Sequence, residues 1–180
     1  MDNYYEQQLI KEGPKTQSGD SLKFVLMGGF GIALFFAALV TLVVAVNEAQ
    51  WALLAFTVIF GGLGIFLFIK KDEAYTEYEY VYYMGELEIA KVLNNIKRKE
   101  MCKITCAEIE VFGKTTAQNF NRYITMPDAK KAYATFSKKG GENTYFLVYI
   151  SPKNKVVLLF DPDEELLSNI KKHLRVSIER

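Results

Sequence analysis

Two uncharged apolar runs, separated by four residues, constrain the fold of this 180-residue chain more than any other feature. They extend over Phe24–Val46 and Trp51–Ile69 and contain no Asp, Glu, Lys, Arg or His. As helices, they would be roughly 34 and 29 Å long at about 1.5 Å per residue, which matches a hydrocarbon core about 30 Å thick. Because a backbone in lipid must satisfy its own polar groups, both runs are predicted to be membrane-spanning helices.

The lysines that flank these runs predict the orientation of the hairpin. Lys11, Lys15 and Lys23 precede the first run, whereas Lys70 and Lys71 follow the second, and residues 47–50 carry no Lys or Arg. The positive-inside rule therefore places both termini in the cytoplasm of a multi-pass cell-membrane protein. The predicted parts are a polar cytoplasmic segment over 1–22, a transmembrane hairpin over 23–71 with spans at 24–46 and 51–69, and a cytoplasmic domain over 72–180.

Small residues near the cytoplasmic end of each run indicate how the helices pack. In an antiparallel hairpin the two glycine clusters lie at the same depth, and small residues let helix backbones approach closely. Packing within the hairpin is favoured because the partner cluster is in the same chain, and a dimerisation face is the alternative. The residues assigned to this face are Gly28, Gly29, Gly31, Ala33, Ala37, Gly61, Gly62 and Gly64.

Charged residues return after the second run. From Asp72 onward the chain has 17 Lys or Arg and 16 Asp or Glu residues, as expected of a soluble domain. Its length is sufficient to bury one hydrophobic core. The net charge of +1 gives no reason to expect a nucleic-acid partner, since nucleic-acid-binding domains usually carry a clear basic excess.

From Tyr75 onward the apolar pattern changes to the two-residue period of β-strands. Tyr78, Tyr80 and Tyr82 alternate with acidic or aliphatic residues, which predicts a strand with one aromatic face. Residues 114–130 are predicted to be mostly loop, with a short helix. Further strands are predicted at 87–93, 97–104 and 108–112, a hairpin at 131–137 with 143–151, and a strand buried on both faces at 155–160.

The last element is a predicted amphipathic helix. Asp161 is the predicted N-cap, Pro162 the first helical residue, and Glu164 the second member of a capping-box-like pair. The apolar stripe of this helix consists of Leu166, Leu167, Ile170 and Leu174.

Six or seven antiparallel strands followed by one amphipathic helix resemble the pleckstrin-homology-like (PH-like) fold, in which two stacked sheets are capped by that helix. The resemblance is carried by residues 77–83, 85–93, 97–104 and 161–174. A two-helix hairpin before such a domain looks like a group of small bacterial inner-membrane proteins. The resemblance implies an α+β membrane protein whose cytoplasmic domain is a PH-like antiparallel β-sandwich or barrel with a C-terminal capping helix.

One property of some PH-like domains is not expected here. Members that bind phosphoinositides use basic residues beside the loop between their first two strands. In this chain that turn is Met84-Gly85-Glu86, which contains no Lys or Arg. Binding of a phosphoinositide headgroup is therefore not inferred.

No residue pattern indicates catalysis. The sequence has no phosphate-binding glycine loop, and His173 is its only histidine. Cys102 and Cys106 lack the further ligands of a zinc site and are predicted to be reduced thiols. We therefore expect a protein that is not an enzyme and has no cofactor, metal or small-molecule substrate.

Two residue groups are candidate surfaces for lipid or for a partner. Basic residues on the third predicted strand could contact anionic lipid or form a solvated sheet face. The tyrosines could form an interfacial belt or a partner surface, or else line the sheet core. The candidate lipid or partner surface consists of Lys97, Arg98, Lys99, Lys103, Tyr75 and Tyr78.

The sequence therefore predicts a membrane-anchored scaffold or interaction module. Its PH-like domain would bind a cytoplasmic protein or a second copy of the chain. One alternative is a sensor of anionic membrane lipid that acts through its basic strand. Another is an accessory subunit of a transporter complex, with the glycine faces of the hairpin as the docking surface. Transport by this chain alone is not expected, because Thr41 and Thr57 are the only hydroxyl-bearing residues in the spans.

Overall fold

The computed structural model describes residues 4–11, 14–137, 139–152, 154–176 and 178–179. The chain divides into two compact units. One contains residues 11–76 together with 93–96, and the other contains the N-terminal ten residues, 77–92 and the chain from 97 onward.

The first unit is a helical hairpin. Helix α1 extends over Pro14–Asn47 and helix α2 over Leu53–Lys70, followed by a 3₁₀ helix at Lys71–Ala74. The segments Gly19–Asn47 and Leu53–Ala74 are long and apolar enough to cross a membrane. The prediction of two long apolar helices is therefore confirmed.

A close backbone approach and a side-chain hydrogen bond are among the contacts that join α1 to α2. A Cβ atom added to Gly31 would lie 2.9 Å from the carbonyl oxygen of Gly64, and one added to Gly64 would lie 2.8 Å from the carbonyl oxygen of Gly31. The two backbones thus meet at a distance that only glycine permits. Further along, the hydroxyls of Thr41 and Thr57 are 2.9 Å apart and form a hydrogen bond between the helices.

The second unit is built on two sheets. The first sheet has the order β1-β2-β3-β4, and the second has the order β6-β8-β7-β5-β9. With the helices included, the α+β class is confirmed. The strands are β1 Tyr4–Leu9, β2 Thr76–Tyr83, β3 Glu86–Leu93, β4 Lys97–Thr105, β5 Ile109–Lys114, β6 Ala129–Ala134, β7 Tyr145–Ile150, β8 Lys155–Phe160 and β9 Ile178–Glu179, and the helices are α3 Phe120–Ile124 and α4 Glu164–His173.

Strand β1 is not predicted by the sequence pattern. It pairs with β2 in antiparallel register, with Tyr4 opposite Tyr83 and Leu9 opposite Tyr78. Its half-buried side chains are Tyr5, Gln7 and Leu9. Because a glutamine interrupts this face, the apolar alternation that marks a strand is weak.

The predicted hairpin between β6 and β7 is wrong, and the sheets are not entirely antiparallel. Strand β8 lies between the two and pairs in parallel with β6, from Ala129 opposite Lys155 to Ala134 opposite Phe160. It pairs in antiparallel register with β7. The physical reason is burial: from Val156 to Phe160 every residue of β8 is buried, as the sequence predicted, and such a strand needs neighbours on both edges.

The main core lies between the two sheets. Tyr80 and Leu87 of the first sheet and Phe112 and Leu158 of the second belong to one buried cluster, which Leu166 of α4 joins. A second cluster covers the other face of the second sheet, where Phe120 of α3 packs on Phe146. Burial on both faces explains why β7 and β8 are almost entirely apolar.

The start of α4 differs from the prediction. The N-cap is Asp163, whose carboxylate accepts a hydrogen bond from the backbone N–H of Leu166 at 2.8 Å. Asp161 instead accepts a hydrogen bond from the hydroxyl of Thr135, and Pro162 precedes the cap rather than following it. A free backbone N–H in the first turn of the helix is thereby hydrogen-bonded by an N-cap side chain, as is usual. The cap lies two residues later than predicted.

Candidate functional site

The basic residues of β4 do not form a free cationic face. The guanidinium of Arg98 lies 2.8 Å from the carboxylate of Glu79 and 3.1 Å from that of Glu88. The ammonium of Lys103 lies 2.9 Å from Glu86. Lys97 and Lys99 are exposed. Arg98 and Lys103 are therefore paired with carboxylates of β2 and β3, which offsets their charge.

Carboxylates of the neighbouring strands β1 and β2 lie close together on the face of the first sheet that carries Arg98. The pKa of Glu6 is lowered, chiefly by the hydrogen bond that it accepts from the hydroxyl of Tyr4 at 2.7 Å. The pKa of Glu79 is raised, first by burial and then by a hydrogen bond with Glu6. This face thus presents carboxylates in close contact, with Arg98 neutralising part of their charge.

The tyrosines of β2 line the core. Tyr78 is 8% exposed, and Tyr80 and Tyr82 are completely buried. The hydroxyl of Tyr80 donates to the carbonyl oxygen of Ala134, and burial raises its pKa. The hydroxyl of Tyr82 hydrogen-bonds the ring of His173, so this histidine packs against β2. Tyr78 is therefore not available to a surface that binds lipid or a partner.

Tyr75 has a different environment, at the end of the helical hairpin. Its hydroxyl donates to the hydroxyl of Ser21 at 2.7 Å, and its ring centre lies 5.4 Å from that of Phe24. The ammonium of Lys71 lies 3.6 Å from the ring centre of Phe68. Lysines and aromatic rings of this kind are typical of a membrane–water interface.

A groove opens between the edge strand β4 of the first sheet and the β6–β8–β7 part of the second sheet. Its volume is about 320 Å³. Met101, Ala132 and Val156 provide apolar surface, and Lys130 is exposed at the rim. The lining residues are Met101, Lys130, Ala132, Tyr149, Ser151, Pro152, Asn154 and Val156. This set contains one cation and no carboxylate.

The phenol of Tyr149, in the groove, and the neighbouring thiol of Cys102 are neutral at physiological pH. Burial and the neighbouring thiol of Cys102 raise the pKa of Tyr149 to about 12. Burial also raises the pKa of Cys102 to about 12, so this thiol is not a reactive nucleophile. The groove can therefore offer apolar contacts, a phenol and the positive charge of Lys130.

Two edge strands border the groove. Strand β4 is the last strand of the first sheet, and β6 is the last strand of the second. An edge strand has backbone N–H and C=O groups on one side that no neighbouring strand pairs. Peptides often bind such edges in an extended conformation, with alternate side chains in adjacent pockets. The groove is consequently suited to an extended segment.

The small residues of the hairpin divide into two groups. Gly31 and Gly64 lie at the helix crossing, and a Cβ atom on Gly61 would lie 3.7 Å from the side chain of Ala38. A Cβ atom added to Gly28 would lie 3.5 Å from the side chain of Lys71. Ala37 is half-buried. The assigned residues outside the crossing are Gly29 and Gly62, whose added Cβ atoms would meet no atom within 4 Å, and Ala33, which is exposed.

Two packing residues were missed. Ala38 is 6% exposed and Ala45 is 1% exposed, so both are buried together with Gly31. The spacing of these three residues is seven, which keeps them on one face of a helix. A search for small residues at this spacing would have found them.

The family of the chain follows from a sequence-family model described as "Bacterial PH-like domain (DUF6106)", which matches residues 1–179. The chain belongs to this family. No curated protein and no solved structure matches it significantly.

The match to this bacterial PH-like family extends over the hairpin and β1 as well as the later strands. PH-like domains are generally non-catalytic. In the part of the chain that the structure describes, no group of three or more His, Cys, Asp or Glu residues is placed to hold a metal ion. The groove is thus the feature of the domain best suited to a functional site.

Proposed function

We propose that this protein is a membrane-anchored, non-enzymatic interaction module of the bacterial inner membrane. Its PH-like domain holds an extended, acidic segment of a cytoplasmic partner protein in the groove between β4 and β6. The groove carries the proposal, because it combines apolar surface, two strand edges and a cation, with no carboxylate among the described residues that line it.

The order of strands supports a hairpin whose two ends are on the same side of the membrane. The helices are inserted in the sequence between β1 and β2, and these strands pair so that Leu9 lies opposite Tyr78. An inserted segment whose ends meet must cross the bilayer an even number of times. The flanking lysines favour the cytoplasm as that side.

Ion pairing favours a protein partner over an anionic lipid surface. Arg98 and Lys103 are held by carboxylates of the first sheet. Polybasic attraction to anionic lipid depends on the sum of several cations near the membrane. A strand whose charge is partly neutralised within its own sheet is poorly suited to that role.

Site-specific photo-crosslinking in cells tests the proposal. A benzophenone amino acid replaces Asn154, which is exposed and lines the groove. We expect a crosslink to an acidic, extended segment of another protein, identified by mass spectrometry. The same residue at Lys172, on the exposed side of α4, provides the reference yield.

Two charge reversals on one strand provide a matched control. Lys130→Glu places a negative charge at the groove, whereas Lys131→Glu makes the same change on the opposite face of β6. The crosslink from position 154 should fall strongly with Lys130→Glu and remain with Lys131→Glu. A yield at position 154 no higher than at position 172, or an equal response to both reversals, would rule out the groove as the partner site.

A further inference from the structure

The turn between β3 and β4 belongs to the same compact unit as the helical hairpin. Asn94 and Asn95 have φ angles of 50° and 52°, a left-handed conformation that asparagine tolerates in tight turns. The backbone N–H of Asn94 donates to the carbonyl oxygen of Tyr75 at 2.7 Å, and its side-chain amide donates to Asp72 at 3.3 Å. Two hydrogen bonds therefore hold the turn against the segment that directly follows α2.

Those bonds place the turn near the end of the second apolar helix. Asp72 is the second residue beyond Lys70, where α2 ends, and it lies in the 3₁₀ helix. At about 2 Å per residue in a 3₁₀ helix, the anchoring points lie within roughly 10 Å of the end of the span. This is the depth of the headgroup region of a bilayer.

Ile96 follows the turn and is 72% exposed. Its backbone N–H donates to the carbonyl oxygen of Leu93 at 3.0 Å, which closes the turn and fixes the position of the isoleucine. One exposed isoleucine on a soluble surface is ordinary. Ile96, however, comes two residues after Asn94, whose backbone N–H bonds Tyr75. Tyr75 and the nearby Lys71 are of the residue types found at a membrane interface.

We infer that the β3–β4 turn is a third membrane contact of this chain, with the side chain of Ile96 inserted at the boundary between headgroups and acyl chains. The inference rests on the membrane insertion of the hairpin proposed above, and it is independent of the partner groove. Because the inserted group is apolar, the contact requires no anionic lipid and is insensitive to salt. This property separates it from binding through the cations of β4.

Tryptophan quenching in lipid nanodiscs tests the inference on the full chain. Trp51, the only tryptophan, is first replaced by phenylalanine. Single tryptophans are then introduced as Ile96→Trp, Phe30→Trp and Ile150→Trp, all at exposed positions. The nanodiscs contain phosphatidylcholine with or without bromine atoms near the top of the acyl chains. Position 30 reports on the hairpin, and position 150 is the reference, an exposed isoleucine of the other compact unit.

We expect emission from positions 30 and 96 to be roughly halved by brominated lipid, as for a side chain at the acyl boundary, and emission from position 150 to change much less. The result should be the same at high salt. Quenching at position 30 but not at position 96 would overturn the inference and leave the anchor intact. Absence of quenching at position 30 would overturn both the membrane insertion of the hairpin and the contact through Ile96. If Ile96→Trp lowers the unfolding temperature, Ile96→Cys with a polarity-sensitive dye gives the same comparison.

Discussion

Gly31 and Gly64 set the distance between the two helices. Each lacks the side-chain atom that would otherwise lie within 3 Å of the backbone of the opposite helix. If the hairpin is inserted in the membrane as proposed, lipid provides no hydrophobic drive for its helices to associate. Close packing of this kind and the hydrogen bond between Thr41 and Thr57 would then supply much of the contact energy.

Valine at position 31 should therefore destabilise the hairpin. In Gly31→Val the added carbons meet backbone atoms of α2, and overpacking of this kind costs about 1–3 kcal/mol. The thermal unfolding midpoint of the full chain in detergent should fall. Gly29→Val is the control, because an added Cβ atom there meets no atom within 4 Å. Equal midpoints for the two variants would contradict this account of the crossing.

Residue-level chemistry also shows where sequence reasoning stops. Asp161 and Asp163 flank Pro162, and either aspartate satisfies the local rules for an N-cap. The choice depends on distant partners: Thr135 bonds Asp161, while Tyr5 donates to Asp163. Tyr5 is 158 residues away in the chain, so no local pattern contains this information.

At the level of whole elements, β1 attaches the start of the chain to the junction between β8 and α4. The side-chain amide of Gln7 donates to the carbonyl oxygen of Asp161 at 3.0 Å and accepts from the backbone N–H of Asp163 at 2.9 Å. The strand also covers the edge of β2. It thus pairs the edge of β2 and hydrogen-bonds backbone groups at the junction between β8 and α4.

Removal of β1 should weaken the whole domain. Deletion of residues 2–10 leaves the edge of β2 unpaired and the N–H of Asp163 without its partner, so we expect a lower unfolding midpoint and more self-association. Thermal unfolding and size-exclusion chromatography of the full chain measure both effects. Tyr4→Ala changes an exposed side chain of the same strand and should be nearly neutral. A deletion variant as stable as the parent would show that β1 is dispensable.

Strands were easier to predict than their pairing. The alternation of Tyr78, Tyr80 and Tyr82 is local, and it correctly predicted β2 and its buried face. The pairing of β6 with β8 instead depends on the assembled sheet. Strand β8 is buried on both faces and therefore takes a neighbouring strand on each edge. The groove depends on that pairing, because Lys130 and Ala132 reach it only when β6 is an edge. The site could not be predicted for this reason.

At the scale of the molecule, the main core and its edge contain several thiols and phenols that folding keeps protonated. Burial raises the pKa of Cys102 to about 12 and of Cys106 to about 11, from an ordinary value of 9.0. The pKa of Tyr149 rises to about 12 through burial, and that of Tyr5 to about 12, chiefly through its hydrogen bond with Asp163. In the unfolded chain these groups ionise at their ordinary values.

This difference fixes the sign of the pH dependence. Since the folded pKa values are raised, the stabilisation is fully present below pH 9, and it is lost as the pH rises from 9 through 11 and 12. The thermal unfolding midpoint in detergent with a reducing agent should be level from pH 7 to 9 and then fall. Cys106→Ala should lower the midpoint at pH 7 by leaving a small cavity, yet flatten its decline between pH 9 and 11 because one ionising group is gone. A midpoint that stays level to pH 11, or that declines equally steeply in the variant, would show that the burial of Cys106 does not govern its ionisation.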